Sequence, residues 1–327
     1  MKGKLASAVT AVTAVAAAFA LTVAIPALAP AASMRAVPGS SCRLLPANNV
    51  WHMDISRLPV SPKSRMWKRS MHAGSTLLHP DFGPPSYGMP YDVVDGSTHA
   101  FVDVKFQYAS ESDSGPYPFG PDIHIEGGSD RHALMVDSST CTLYELYDAR
   151  WNGGSPTAGS GAVFDLTSNA LRPAGWTSAD AAGLPILPGL LRWDEVQAGA
   201  IDHAIRFTVD CTTNAYLWPA RHRAGVSDER CPPMGARFRL RSSFDISGFS
   251  ADAQVVLRAM QHYGMIVADN GSDWYFQGTV DSHWTNTLLD QLKTVPGRAF
   301  VAVDESACRV SAGSGRFDYG PGCPAPA

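Results

Sequence analysis

The densest concentration of ionisable side chains lies in residues 121–145, PDIHIEGGSDRHALMVDSSTCTLYE. It holds Asp122, His124, Glu126, Asp130, Arg131, His132, Asp137 and Glu145 around Gly127-Gly128. Glycosidic bond cleavage generally uses two carboxyl groups, one protonated as acid and one ionised. Glu126, next to the Gly-Gly bend, and Glu145, between Tyr144 and Leu146, are the candidate pair, with Asp130 a third acid nearby. Desolvation within an apolar strand would raise the Glu145 pKa, as a general acid requires. Alternating carboxylates on a strand more often face solvent, and Asp/Gly clusters more often make turns.

Three histidines sit beside strand-like segments in similar contexts: Asp130-Arg131-His132, Asp202-His203 and Arg221-His222. If their strands are neighbours, His132, His203 and His222 meet in one cleft. Three imidazoles suit a zinc or copper site with aspartates behind them. The same histidines with Arg131 and Arg221 suit a polysaccharide lyase, in which a cation neutralises a uronate. No H-x-H, H-x-x-x-H or H-E-x-x-H spacing supports the metal alternative, and no cofactor is expected. Trp151 and Trp218, near element ends, are candidates for stacking on a sugar ring, with Arg131 and Arg221 as further ligand-binding residues.

Other chemistry is excluded or unsupported. No G-x-G-x-x-G, P-loop or G-x-S-x-G motif is present, so neither nucleotide binding nor a nucleophile elbow is expected. The 327 residues carry a net charge of −4, which lacks the basic excess of a nucleic-acid partner. With 45 % hydrophobic residues the chain has material for a core, which excludes disorder. Only 17 % of residues are charged, which makes the eight ionisable groups of the cluster a local concentration.

Lys2 and Lys4 precede an uncharged run over residues 5–29 that ends in A-x-A-like sites, the pattern of a secretory signal over residues 1–33. A single N-terminal membrane anchor is the alternative. Export makes Cys42, Cys141, Cys211, Cys231, Cys308 and Cys323 candidates for three disulfides, since no C-x-x-C spacing exists. Proximity favours Cys211–Cys231 and Cys308–Cys323, which leaves Cys42–Cys141.

Positioning such a site falls to a β-rich body. Residues 34–98 are Pro-punctuated and read as an irregular segment wrapping the core, with a helical turn over 61–71 and docking points at Trp51, Ile55, Leu58, Trp67 and Leu77. Residues 99–307 form the catalytic or binding domain. Strands are expected at 99–108 (Val102, Val104, Phe106 and Tyr108 on one face), 132–136, 142–147, 162–166, 204–209, 215–218 and 236–244. Residues 250–264 predict a helix from the Ser250 cap to the Gly264 stop, and 281–295 a second. Short strands at 265–268 and 274–277 flank the turn Asp269-Asn270-Gly271-Ser272, a last strand covers 300–303, and 308–327 is a Gly/Pro-rich tail. The fold class is α+β: a predominantly antiparallel β-sandwich or jelly roll with two C-terminal helices.

The strings NNVWHMDISRLPV, IEGGSDRHALMVD, GWTSADAAGLPILPGL and YGMIVADNGSDWYF resemble a group of exported bacterial proteins with no assigned activity. The resemblance spans roughly residues 48–304. It implies export and a single domain, and it carries over no catalytic residue. The combined expectation is a secreted, monomeric protein that hydrolyses an extracellular glycan. A non-catalytic carbohydrate-binding or cell-surface protein is the alternative, and a metal-dependent enzyme or lyase the second. No membrane partner is expected after signal cleavage.

Overall fold

The computed structural model describes residues 35–83 and 87–326; the secretory signal expected over 1–33 lies outside them. In chain order the first strands are β1 (His79–Pro80), β2 (Asp92–Val94), β3 (Lys105–Phe106), β4 (Ala133–Asp137), β5 (Thr142–Tyr147) and β6 (Thr157–Ala158). They are followed by β7 (Ser160–Asp165), β8 (Ile205–Val209), β9 (Arg237–Leu240), β10 (Met265–Asn270), β11 (Tyr275–Phe276) and β12 (Phe300–Ala302). The helices are α1 (Ser64–Ser70), α2 (Trp193–Gln197), α3 (Ala251–His262) and α4 (Asn286–Leu292). The architecture is α+β, mostly sheet.

One sheet has the order β1-β11-β8-β10-β9-β12, the second β2-β4-β5-β7, and β3 pairs with β6. The hairpin of β4 and β5 follows its local chemistry. Asp137 accepts the Ser139 N–H (2.9 Å) and hydroxyl (2.7 Å) and the Thr140 hydroxyl (2.7 Å), which closes the turn. On one face Leu134, Val136 and Leu143 enter the main core; on the other Ala133, Met135 and Leu146 enter a smaller one. In β8 the apolar Ile205, Phe207 and Val209 alternate with Arg206 and Thr208, yet all five are buried, so both faces of this central strand are covered. α3 starts where the Ser250 side chain accepts the Ala253 N–H and ends before Gly264, whose φ of +69° suits glycine. Val255, Val256 and Met260 give it its buried face.

Several expectations are corrected. Residues 99–108 form only β3 and a bridge from Val102 to Tyr117, because this stretch packs on loops rather than on a neighbouring long strand. Residues 215–218 make a single bridge, Tyr216 to Met234, and 236–244 pair only as β9. The second helix begins at Asn286, where Thr285 caps the Leu288 N–H, after a turn closed by Asp281. Among the described residues four of the nine ladders, β1–β11, β8–β10, β2–β4 and β3–β6, are parallel, so the sheets are mixed. Parallel partners lie far apart in sequence and leave no local signature. The wrapping segment supplies β1 and β2 to the two larger sheets and buries Trp51, Ile55, Leu58 and Trp67, but Leu77 is 48 % exposed. The tail is docked: Phe317 and Cys323 are buried.

The three disulfides are Cys42–Cys141, Cys211–Cys231 and Cys308–Cys323, the pairing favoured by proximity. The first ties the N-terminal arm to the β4–β5 turn. No helix among the described residues is long and apolar enough to cross a membrane.

Candidate functional site

A cleft lies where the loop before β4 meets the ends of β8 and β10. It consists of two cavities of about 340 and 370 Å³ that share Asp130, Asp269 and Asn270 as walls. Glu126, His132, Arg206, Gln277, Tyr275 and Asp81 line one half; Glu111, Tyr108, Tyr147, Ser178, Asp180 and His222 line the other.

The loop before β4 places a histidine–carboxylate dyad. The Glu126 N–H donates to the His132 carbonyl (2.8 Å), and the His132 N–H donates back to Glu126 Oε2 (3.3 Å), which folds the Gly-Gly bend between them. His132 Nδ1 lies 2.6 Å from Glu126 Oε2, and Nε2 lies 3.1 Å from the Ala179 carbonyl. Both ring nitrogens therefore face acceptors, the arrangement of an imidazolium beside a carboxylate. Burial alone would lower the His132 pKa, but Glu126 outweighs it and holds the pKa above the ordinary value. Burial would likewise raise Glu126, and His132 pulls it below the usual range instead. Gln277 donates to Glu126 Oε1 at 3.3 Å.

β8 and β10 place a second polar set. Arg206 grips Asp180 with two nitrogens (3.0 and 2.9 Å) and donates to Gln277 Oε1 (2.9 Å), so Gln277 links the two sets. Asp269 reaches them because the β8–β10 register shifts between Val267 and Asp269. With an unbroken register Ala268 would pair with Thr208 and Asp269 would turn toward the Phe207 and Val209 side. The bulge pairs Asp269 with Thr208 and delivers its carboxyl to the Arg206 face. There it lies beside the Asp180 carboxyl and within reach of the Ala181 N–H (3.4 Å). Burial, then the Asp180 charge, push Asp269 up to about 8 against the pull of Arg206. Asp269 is thereby pushed toward its protonated form, beside the Asp180 carboxyl that Arg206 grips. Gly271, in the turn after β10, lies over Thr208; a Cβ there would meet Thr208 Oγ1 at 2.9 Å.

The expected site residues are only partly brought together. Glu126, Asp130 and His132 line one half of the cleft, and Asp130 and His222 line the other. His222 Nδ1 donates to the Ala181 carbonyl (2.8 Å), and its Nε2 lies 3.6 Å from Glu111. Glu145 is not a cleft wall. It is fully buried on the core face of β5, where it accepts the Ile186 and Leu187 N–H groups (2.9 Å each). Burial pushes it up to about 7, although those donors pull it down. It anchors the 184–191 segment.

His203 is sealed away. Its Nε2 meets Glu195 (3.1 Å), its Nδ1 the Ala204 carbonyl (2.8 Å), and Arg192 holds the other Glu195 oxygen (2.5 Å). His132, His203 and His222 therefore form no metal set, since neither His132 nor His203 has a ring nitrogen free of a protein oxygen. Among the described residues the three-ligand group close enough to share an ion is His72, Asp210 and Asp273, with ligand atoms within 4.8 Å of one another. Arg131 donates to the Ala149 carbonyl, and Arg221 to the carbonyls of Arg172 and Ala312, so both hold loops. Trp151 packs edge-on against Phe119 in the smaller core. Trp218 donates to the Ser314 carbonyl and lines a separate cavity of about 860 Å³ with Trp67 and Glu305.

Asp180, Arg206, Asp269 and Gln277 were not singled out from the sequence. Arg206 had a signal, a lone charge inside the apolar run AIRFTV, which a buried strand tolerates only with a partner. Asp269 read as a turn residue. The chain matches no protein-family model, and no curated protein or solved structure matches it.

Proposed function

We propose that the cleft binds a glycan and hydrolyses a glycosidic bond, with Asp269 as proton donor and Asp130 as the second carboxyl group. The observation that carries this reading is the shared wall. Asp269, buried beside Asp180, and Asp130, exposed and without a salt-bridge partner among the described residues, both line each half of the cleft. Glycosidic hydrolysis uses two carboxyl groups flanking the scissile bond, and this common wall offers such a pair. Glu126 and His132 act as positioning residues, since both Glu126 oxygens are already hydrogen-bonded and the dyad braces Gln277 and hence Arg206. Hydroxyl and amide groups around the wall, from Tyr108, Tyr147, Ser272, Tyr275 and Asn270, suit a polyhydroxylated ligand.

The non-catalytic alternative rests on a platform of exposed tryptophans, and each of the eight tryptophans is buried or half-buried. We read the two larger sheets as the layers of a sandwich, and the three disulfides as those of a secreted monomer acting outside the cell. The test is release of reducing ends from a panel of polysaccharides by disulfide-intact protein, with Asp269→Asn and Asp130→Asn alongside. Release by the wild type that both variants abolish supports the assignment. Binding without release from any polymer would leave a carbohydrate-binding protein, and release unaffected by the two substitutions would move the chemistry elsewhere.

A further inference from the structure

The walls of the cleft carry an unbalanced charge, and this narrows the ligand beyond the glycan reading on which the inference rests. Asp81, Glu111, Glu126, Asp130 and Asp180 contribute carboxylates. The lining cations are Arg206, engaged by Asp180 and Gln277, and the His132 imidazolium, engaged by Glu126. His79 and His222 complete the basic groups, and no lysine lines either half among the described residues. Asp81 and Asp130 have no salt-bridge partner among the described residues, and Glu111 has only His222 at 3.6 Å.

A concave site whose walls carry an excess of one sign of charge raises the local concentration of the opposite sign. A uronate would be repelled, since among the described residues no unpaired arginine or lysine lines either half to neutralise it. A neutral sugar would leave Asp81 and Asp130 uncompensated. We propose that the cleft selects a glycan bearing free amines, an oligomer of 2-amino-2-deoxyhexose, over its N-acetylated counterpart and over an oligouronate. In this arrangement ring ammonium groups lie beside Asp81 and Asp130, while the tyrosine, serine and amide groups of the walls meet the hydroxyls.

The test is calorimetric titration at pH 6, where the amines are charged. The probes are the four-sugar oligomers of glucosamine, N-acetylglucosamine and galacturonate, with trilysine as a cationic ligand that is not a sugar. Glucosamine oligomer is expected to bind about tenfold tighter than the acetylated one, because a charge pair at the edge of a protein contributes on the order of a factor of ten. Galacturonate is expected not to bind. The preference for the amine falls as salt is raised, since exposed pairs are screened over about 10 Å at 0.1 M. Asp81→Asn, checked by thermal melting to be folded, is expected to reduce the amine-to-acetyl affinity ratio several-fold. Equal affinity for the amine and acetyl forms, a ratio unchanged in Asp81→Asn, or tighter binding of galacturonate or trilysine would each overturn the amine proposal. Binding of no sugar at all would instead overturn the glycan reading, which is a separate outcome.

Discussion

Two buried histidine–carboxylate dyads, each with an arginine nearby, stand in this molecule, and their chemistry is nearly the same. Glu126 holds His132, with Arg206 one residue away through Gln277; Glu195 holds His203, with Arg192 on its other oxygen. In both, burial disfavours the charged pair and the partner outweighs it, leaving the histidine pKa raised and the glutamate pKa lowered. What separates them is the wall. Glu126, His132 and Arg206 border a cavity, whereas Glu195, His203 and Arg192 are buried between elements. Perturbed ionisation alone therefore does not single out a candidate site here; it takes the open volume beside it.

The comparison can be broken most forcefully at the chemistry. Asp269→Asn is expected to lower kcat/KM on a cleaved glycan by about 10²–10⁴-fold, the usual worth of a positioned general acid. Wild-type activity is also expected to fall as pH rises through about 8, where Asp269 loses its proton. A pH profile flat through that range would remove Asp269 as the acid.

Next in size is the sealed dyad. Glu195→Ala leaves His203 without its counter-charge and Arg192 with Asp194 alone, 3.4 Å from Nε, and two Arg192 nitrogens already lack hydrogen-bond partners among the described residues. Breaking a buried pair in this way costs about 3–5 kcal/mol, to be read by urea denaturation. Glu126→Ala is expected to cost less, about 1–3 kcal/mol, because cleft water can solvate the group left behind. Equal losses at the two sites would mean that the cleft is as closed as the core.

The pH dependence of stability sharpens the contrast. A histidine raised in the folded state stabilises fully below its unfolded pKa, and that contribution is lost as pH rises through the folded value. Both dyads thus weaken on the alkaline side. Asp269 acts in the same direction for another reason: with its pKa up to about 8, the unfolded chain releases the proton first, so stability declines from about pH 4 to about 8. Asp269→Asn removes this share, and its stability relative to wild type is expected to rise over that range and then level off. Denaturation curves at successive pH values check the sign. The smallest effect belongs to His222→Gln at the half-exposed end of the cleft, expected to change stability by no more than about 0.5 kcal/mol and ligand affinity a few-fold. A large stability loss there would make His222 a structural group.

Much of the frame was legible in the chain. The 132–147 hairpin is written in alternating apolar residues around an Asp/Ser turn, and α3 in its Ser250 cap, apolar stripe and Gly264 stop. The disulfide pairs followed from proximity in sequence. The pairing of Glu126 with His132 was half visible, because six residues around a Gly-Gly bend can close on themselves. By contrast, nothing near Asp180 announces Arg206, which lies 26 residues on and in another element. Glu145 and His203 misled for a common reason: a charged residue in an apolar context looks the same from the sequence whether it borders a cavity or fills one.

Local pattern was thus enough for the elements, the covalent frame and the neighbourhood of the site, since alternation, caps and turn residues act over a few positions. The site itself depended on contacts between distant segments. A one-residue register shift in the parallel β8–β10 pair turned Asp269 from the core toward Arg206, and tertiary packing opened a cavity beside one dyad and closed the other. Side-chain direction in a strand has a period of two, so a single bulge, which no local signal fixes, decides which face an acid serves.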